Sequence, residues 1–193
     1  MKNNIEIIDT VIYAGRLKDK KSLLYSSSGG AFVAISDAFL NNGDAVACAV
    51  YNYENYTTEF QLIESREERD KAIGSKYMQS RPEQIYKATE EWLKENPEKK
   101  LLFVGMGCQS DGFRKFSEIK GIRDRVYIVD IICHGSPSPK LWREYAKSIE
   151  RKDGKITYLT FKDKRNGWKF PTAYVMVGGQ EYSIRDYVKV FYN

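Results

Sequence analysis

The sequence has few of the residues that stabilise exported or metal-bound proteins. Its 193 residues include three cysteines, one histidine and five prolines. Cys48, Cys108 and Cys133 are far apart and form no CxxC pair, which argues against a disulfide framework and against a self-contained zinc site. The opening segment MKNNIEIIDT has an acidic residue where a signal peptide needs an uninterrupted apolar stretch. We therefore expect a cytoplasmic protein with reduced thiols.

Long apolar runs are also missing. No stretch approaches the roughly 20 apolar residues that cross a bilayer, so we expect no membrane span. Hydrophobic residues make up 42% of the chain and charged residues 30%, which excludes a disordered or fibrous protein. The length is that of one ordinary domain, and no repeat or Pro/Gly-rich linker divides it. Residues 1–193 are therefore predicted to form a single domain.

The chain is moderately basic. It has 31 basic and 26 acidic residues, for a net charge of +5. This balance favours an anionic ligand without identifying it. The basic residues are interspersed with acids, and no zinc-finger or basic-helix pattern accompanies them. Nucleic-acid binding is therefore ranked last, and we expect no nucleic-acid partner.

The pattern of apolar residues predicts an α/β fold. It indicates a mixed sheet that contains a parallel βαβ unit flanked by helices. Helices are expected over Gly30–Leu40, up to Arg69, after Pro82, through Phe113 and Phe116, and after the Ser138 cap with Pro139 in its first turn. Strands are expected at Val11–Ala14, Ala45–Tyr51, Thr57–Ile63, Leu101–Val104, Val126–Ile132, Ile156–Phe161 and Ala173–Val177.

The βαβ unit indicates where a ligand would bind. Parallel neighbouring strands point their carboxyl ends the same way, and ligands bind in the crevice outside those ends. One strand leads to Cys108 and Gln109, and the next leads to Cys133, His134 and Gly135. We expect both cysteines on one rim of a concave site. In the structural alternative, Cys133 packs as a small apolar side chain and His134 caps a helix or bonds a backbone group.

A cysteine beside a histidine also permits a different chemistry. The imidazole can activate a thiol as a nucleophile for acyl transfer. However, no local signature of a thiol hydrolase is present. This alternative is therefore less favoured than a binding site at the strand ends.

A serine-glycine segment precedes the first long helix. Ser26, Ser27, Ser28, Gly29 and Gly30 offer hydroxyls, unhindered N–H groups and the positive end of a helix dipole, which together suit a phosphate. The alternative is that the serines cap the helix and the glycines allow close packing. Gly74-Ser75-Lys76-Tyr77 adds a lysine and an aromatic ring after a turn.

A basic segment near the C-terminus offers a second set of anion ligands. Lys162, Lys164, Arg165 and Lys169 surround an Asn-Gly turn and Trp168, so the segment could hold a pyrophosphate while the indole covers a ring. The alternative is a hairpin loop with solvated charges, because Asn-Gly is first of all a turn former.

Five ordered blocks from Ser26 to Trp168 resemble the coenzyme F420 hydrogenase/dehydrogenase beta-subunit family, whose members include flavoprotein subunits. The blocks are Ser26–Phe32 (SSSGGAF), Gly74–Ser80 (GSKYMQS), Phe103–Gln109 (FVGMGCQ), Asp130–Pro139 (DIICHGSPSP) and Phe161–Trp168 (FKDKRNGW).

This resemblance implies an FAD-binding electron-transfer oxidoreductase or oxidoreductase subunit. The partners it implies are a redox protein or iron-sulfur subunit and a small-molecule electron carrier such as the deazaflavin coenzyme. The FAD pyrophosphate is expected near Ser27–Gly30 and Lys76, and the isoalloxazine near Cys108 and Cys133. The catalytic candidates are Cys108, Cys133 and His134. The cofactor-binding candidates are Ser26, Ser27, Ser28, Gly29, Gly30, Ser75, Lys76, Tyr77, Gln109, Gly135, Lys162, Lys164 and Trp168.

The chain also departs from the family pattern. Many relatives have proline before the cysteine of the third block, where this chain has Gly107. Relatives often carry a ferredoxin-like module and further cysteines, so a truncated, split or decayed member is expected. Three cysteines cannot supply four thiolates, so an iron-sulfur cluster would need ligands from outside this chain. The alternative function is that of a non-catalytic or repurposed relative associated with polysaccharide biosynthesis.

Overall fold

The computed structural model describes residues 11–169 and 172–192, without the side chains of residues 151–153 and 190–192. Its helices are α1 (Lys20–Tyr25), α2 (Ala31–Leu40), α3 (Arg66–Asp70), α4 (Glu83–Glu95), α5 (Gly107–Ile119), α6 (Pro139–Asp153) and α7 (Arg185–Tyr192). Its strands are β1 (Ala45–Asn52), β2 (Thr57–Ile63), β3 (Leu101–Met106), β4 (Val126–Ile131), β5 (Ile156–Asp163), β6 (Thr172–Val177) and β7 (Gln180–Ser183). In the described part of the chain, no helix is long and apolar enough to cross a membrane.

Four strands form a mixed sheet in the order β2-β1-β3-β4. β1 and β2 are an antiparallel hairpin, and the Asn52 side chain accepts a hydrogen bond from the N–H of Glu54 in its turn. β3 runs parallel to both β1 and β4. The crossover from β3 to β4 runs through α5, as in a βαβ unit. The predicted α/β class, with a mixed sheet and a parallel βαβ unit flanked by helices, is confirmed.

Helices cover both faces of this sheet. On one face, Phe103 of β3 stacks on Phe113 of α5 with ring centroids 4.2 Å apart, and Trp92 and Leu93 of α4 extend the same core. On the other face, α2 packs against a core of aliphatic side chains that includes the buried Cys48. β3 is buried along nearly its whole length, which explains its near-continuous apolar sequence.

The last three strands form a separate antiparallel sheet in the order β5-β6-β7. Its core is centred on the fully buried Trp142 of α6, which packs against Phe161 and Tyr187. The Trp142 indole donates a hydrogen bond of 3.0 Å to the hydroxyl of Tyr51 in β1. This bond satisfies a buried N–H group and connects the second core to the first sheet.

Some elements differ from the sequence-based expectation. The predicted strand at Val11–Ala14 is wrong: those residues have no regular structure and are exposed, and none of the described strands pairs with them. α1, β7 and α7 were not predicted. The predicted cap of α6 is confirmed, because the Ser138 hydroxyl accepts a hydrogen bond from the N–H of Lys140. The opening MKNNIEIIDT segment lies outside the described residues.

Candidate functional site

The carboxyl ends of β3 and β4 form one wall of an open cleft. Met106 and Ile131 are register partners at the ends of the two parallel strands. The cleft has a volume of about 480 Å³. We call it the strand-end cleft, and it is lined by Met106, Gly107, Cys108, Asp130, Ile131, Ile132 and Cys133. The expectation that Cys108 and Cys133 share one concave rim is confirmed.

Cys108 is held by the start of α5. The helix begins at Gly107, immediately after the strand, so no extended turn separates β3 from the thiol. The Gln109 side chain is buried, accepts a hydrogen bond of 3.1 Å from the N–H of Met106 and donates two bonds to Ser80. The structure therefore gives Gln109 a positioning contact at the strand-helix junction, and its role as a cofactor ligand stays a prediction.

Cys133 and the following residues are exposed. The Gly135 N–H donates a hydrogen bond of 3.3 Å to the Cys133 sulfur, and Gly135 has a φ of 119° that favours glycine. His134 is also exposed and does not line the cleft. Among the described residues, no hydrogen bond joins the His134 ring to either thiol of the cleft, so the thiol-nucleophile alternative gains no support.

A second, smaller cleft adjoins the first at Asp130 and Ile131. It has a volume of about 210 Å³, and we call it the helix-side cleft. Its lining residues are Ala31, Phe32, Ile35, Leu102, Val104, Val129, Asp130 and Ile131. The N-cap of α2 is Gly30, which has a φ of 83°. No side-chain hydrogen bond from the described residues caps the start of this helix. Free N–H groups at a helix start suit an anion.

Asp130 is the one charged residue among those that line the two clefts in the described chain. The other lining residues are Gly107 and Ala31 at the starts of α5 and α2, the two cysteines, and residues with apolar side chains. Asp130 belongs to the fourth family block but was not predicted as a site residue, and neither were Met106, Ile131 and Ile132. The signal was available, since all four lie at the ends of the predicted parallel strands.

The hydroxyls of the serine-glycine loop (Ser26–Gly30) make intramolecular hydrogen bonds. The Ser26 hydroxyl donates to the carbonyl oxygen of Ser22 at 2.7 Å and is buried. Ser27 Oγ accepts bonds from the Ser75 N–H at 2.6 Å and from the Ser75 hydroxyl at 2.8 Å. The loop and the Gly74–Ser80 block are thus brought together as expected, but by direct bonds between their serines. Ser28 is exposed.

The two glycines of the loop are required by close packing. A Cβ at Gly29 would lie 2.6 Å from the carbonyl oxygen of Gly15, and the Gly29 carbonyl accepts a hydrogen bond from the N–H of Leu17. A Cβ at Gly30 would lie 2.4 Å from the Leu17 side chain. At both glycines, the backbone is therefore approached closely by the segment before α1. This agrees with the alternative interpretation of the sequence, in which the glycines allow close packing.

The basic segment after β5 is also tied to this loop. Lys164 is buried, and its ammonium donates to the carbonyl oxygens of Leu23 at 2.8 Å and Ser28 at 2.6 Å. The same ammonium lies 3.9 Å from the ring centroid of the half-exposed Trp168. Burial lowers the pKa of Lys164. A wholly solvated hairpin loop is thus excluded for Lys164, although β5 and β6 do form the antiparallel pair of that alternative.

Tyr77 and Lys162 pack beside the second sheet. The Tyr77 ring meets Phe161 edge-on with centroids 5.2 Å apart, and the Lys162 ammonium lies 5.8 Å from the Tyr77 centroid. The Tyr77 carbonyl accepts a hydrogen bond from the Tyr187 hydroxyl. These contacts connect the second and fifth blocks, and neither Tyr77 nor Lys162 is among the residues that line the strand-end cleft.

Lys76 is half-buried and lies near Cys48 on the α2 face of the sheet. Its ammonium donates to the carbonyl oxygens of Ala72 and Gly74. Burial lowers the pKa of Lys76 to about 8, against the opposing effect of the Cys48 thiol. Burial raises the pKa of Cys48 to about 12, although Lys76 and Arg69 act in the opposite direction. Lys76 remains a predicted ligand for the pyrophosphate.

Comparison with known protein families identifies the family to which the chain belongs. Residues 12–85 match the family model for the N-terminal part of the coenzyme F420 hydrogenase/dehydrogenase beta subunit. Residues 98–188 match the family model for the C-terminal part of the same protein. The chain belongs to the coenzyme F420 hydrogenase/dehydrogenase beta-subunit family. No protein of curated function matches it.

A solved structure supports the fold. The chain is similar to one in the xenon-derivatised F420-reducing [NiFe] hydrogenase complex from Methanosarcina barkeri, with a TM-score of 0.62 and 18% sequence identity. The similarity covers 90% of this chain and 60% of the hydrogenase chain. This chain thus spans less than two thirds of the length of that hydrogenase chain.

Proposed function

We propose that this chain binds FAD at the two clefts and serves as an electron-transfer oxidoreductase or oxidoreductase subunit. The observation that carries the proposal is the strand-end cleft, which is apolar, bears two exposed thiols and lies at the carboxyl ends of parallel strands. Ligands of α/β sheets bind at such ends. Membership of the beta-subunit family supports the choice of a flavin.

The size and lining of the clefts fit this cofactor. Small-molecule sites typically occupy about 300–1,000 Å³ and combine apolar walls with a few polar groups. The strand-end cleft alone measures about 480 Å³, and the helix-side cleft continues it past Asp130. Met106, Ile131 and Ile132 offer apolar surface for a planar ring. The uncapped N–H groups at the start of α2 suit phosphate oxygens.

The residues of the clefts have distinct expected roles. Gly107 has open space where a Cβ would project, so it allows a ring to approach the backbone. The Asp130 carboxylate can accept a hydrogen bond from a ring N–H or a ribityl hydroxyl, and it repels phosphate. We therefore expect the FAD phosphates to bind near Ala31 and the exposed Ser28, away from Asp130. A bound flavin would supply one-electron and two-electron redox chemistry.

A titration of FAD into the purified protein tests this proposal. We expect quenching of flavin fluorescence, a shifted absorbance spectrum and reversible reduction by dithionite under anaerobic conditions. Ile132→Ser should weaken the affinity about tenfold, because an apolar contact worth about 1.5 kcal/mol is lost. Ile119→Ser is the matched control. Ile132 and Ile119 are 89% and 82% exposed, but only Ile132 lines the cleft.

Two results would contradict the proposal. One is a wild-type protein that neither contains nor binds FAD, which would favour the repurposed relative associated with polysaccharide biosynthesis. The other is equal weakening by Ile132→Ser and Ile119→Ser, which would locate any flavin outside the strand-end cleft.

The electron partners are part of the same proposal. We infer a redox protein or iron-sulfur subunit on one side and a small-molecule carrier such as coenzyme F420 on the other, in the cytoplasm. Any iron-sulfur cluster would take ligands from the partner, since no group of three or more candidate metal ligands occurs among the described residues. Anaerobic mixing of the reduced, FAD-loaded protein with oxidised coenzyme F420, followed by absorbance, tests the carrier.

A further inference from the structure

Two of the three thiols share one cleft, and the third is separated from them by burial. Cys108 and Cys133 are exposed and line the strand-end cleft. Cys48 is only 3% exposed and packs in the core beneath α2. The protein therefore has two accessible thiols and one buried thiol, Cys48, whose reactivity can be compared with theirs.

The two accessible thiols each follow a strand of the same parallel pair. Met106 pairs with Ile131 in the parallel ladder, and each cysteine follows two residues later. Neighbouring strands lie about 4.8 Å apart, and disulfides join Cα atoms about 4.4–6.8 Å apart. The two strands therefore end side by side, two residues before each cysteine, at a spacing compatible with a disulfide. Both cysteines then line the same cleft.

The two thiols differ in how firmly they are held. Cys108 lies in the first turn of α5, which the Gln109 amide ties to Met106 and Ser80. Cys133 lies in the segment between β4 and α6, which has no helix or strand hydrogen bonds. The far end of this segment is tied by a long bond of 3.4 Å from the Gln79 N–H to the Pro137 carbonyl. Cys133 can therefore move toward Cys108 without breaking an element.

We propose that Cys108 and Cys133 are a redox-active cysteine pair that reacts with small-molecule disulfides and closes the strand-end cleft when oxidised. One thiolate attacks a disulfide RSSR, forms a mixed disulfide and releases one RS⁻. The second thiolate attacks the protein sulfur of that mixed disulfide and releases the second RS⁻. The protein loses two protons and two electrons, and RSSR is reduced to two thiols.

The intramolecular bond would change the ligand site directly. Both sulfurs lie in the lining of the cleft, so a bond between them would draw its walls together at the strand ends. This consequence rests on the proposed flavin function, because a closed cleft would exclude the flavin ring proposed to bind there. Formation of the bond does not depend on that function.

The chemical step is tested with oxidised glutathione and the full chain. We expect denaturing mass spectrometry to show a loss of two hydrogen atoms with no retained glutathione, and peptide mapping to place the link between Cys108 and Cys133. Cys108→Ser and Cys133→Ser should each retain one glutathione on the remaining cleft thiol. Cys48→Ser is the matched control and should form the link as the wild type does. Cys48 should react at least about 100-fold more slowly than the pair.

Defined results would overturn the inference. Two retained glutathiones on the wild type, or a link that forms only between two chains, would exclude an intramolecular pair. If the link forms and dithiothreitol reverses it, FAD titration of both forms tests closure, with affinity expected to fall at least about tenfold on oxidation. Equal affinities would exclude closure. A link in a protein that binds no FAD in either form would leave the cysteine pair standing and contradict the flavin proposal alone.

Discussion

The serine-glycine loop and the strand-end cleft both carry family blocks, but they differ in where their chemical groups find partners. In the loop, the hydroxyls of Ser26 and Ser27 and the ammonium of Lys164 are bonded within the protein. In the cleft, both thiols and the side chains of Ile131 and Ile132 are exposed. Polar residues around a glycine turn therefore need not form a ligand site, because they can serve to join distant segments.

This contrast separates the expected effects of mutation. Changes in the loop should lower stability first, because its groups already have intramolecular partners. Changes in the cleft should alter ligand affinity or thiol chemistry while leaving stability nearly constant, since exposed groups lose few contacts. Denaturant unfolding measures the stability of each variant, and FAD titration measures its affinity.

A matched pair of glycine substitutions should show the largest difference. Gly29→Val places a Cβ 2.6 Å from the Gly15 carbonyl oxygen, so we expect a loss of about 2–3 kcal/mol in the free energy of unfolding. Gly107→Val meets no atom within 4 Å and lies in the first turn of α5, so stability should change by less than about 0.5 kcal/mol. FAD affinity should nevertheless fall in Gly107→Val.

The opposite pattern would contradict the comparison. If Gly29→Val folds with wild-type stability but fails to bind FAD, then the loop is a cofactor cradle, as the sequence first suggested. Circular dichroism of both variants, recorded before titration, separates loss of fold from loss of site.

Removing the Lys164 ammonium should have the next largest effect. Lys164→Met leaves the carbonyls of Leu23 and Ser28 without their donor, which should cost about 2 kcal/mol of unfolding free energy. Lys162→Met is the matched control, because its ammonium lies over the Tyr77 ring at 5.8 Å. The control should lose less than about 1 kcal/mol. Equal losses would show that the two carbonyl contacts contribute little.

The cleft could be predicted from local sequence because its geometry follows from one βαβ unit. The apolar runs of β3 and β4 are short and bounded by turns, and parallel strand ends fix the positions of Cys108 and Cys133. The short α1 was missed because its six residues depend on the Asp19 cap and on the Ser26 bond to Ser22 rather than on an apolar period. β7 was missed because it depends on pairing with β6.

The function of the loop could not be predicted in the same way. The partner of Ser27 is 48 residues away, and the donor to the Ser28 carbonyl is 136 residues away. Neither contact leaves a periodic signal in the sequence. The predicted strand at Val11–Ala14 fails for a related reason, since an apolar run needs a partner strand to become a strand.

The buried Cys48 makes the free energy of unfolding depend on pH. Its thiol has an ordinary pKa of 9.0, which burial raises to about 12 in the folded state. Between these values the unfolded chain has lost the proton and the folded chain retains it, so stability falls as pH rises above about 9. The slope from this group approaches about 1.4 kcal/mol per pH unit. Lys76, whose pKa burial lowers to about 8, adds a slope of the opposite sign to wild type and Cys48→Ala alike. In unfolding measurements from pH 8 to 10, the stability of wild type relative to Cys48→Ala should therefore fall above about pH 9. Parallel profiles of the two proteins would exclude the effect.

The smallest expected effect distinguishes two adjacent serines. Ser27→Ala removes the acceptor for both the N–H and the hydroxyl of the half-buried Ser75, so we expect a loss of about 1 kcal/mol in the free energy of unfolding. Ser28→Ala removes an exposed hydroxyl and keeps the carbonyl that Lys164 binds, so its stability should stay within about 0.5 kcal/mol of wild type. FAD titration should give the reverse order, with the weaker affinity in Ser28→Ala, because the Ser28 hydroxyl is exposed whereas Ser27 Oγ is bonded to Ser75. A greater loss of affinity in Ser27→Ala would place phosphate binding inside the loop and remove the distinction between loop and cleft.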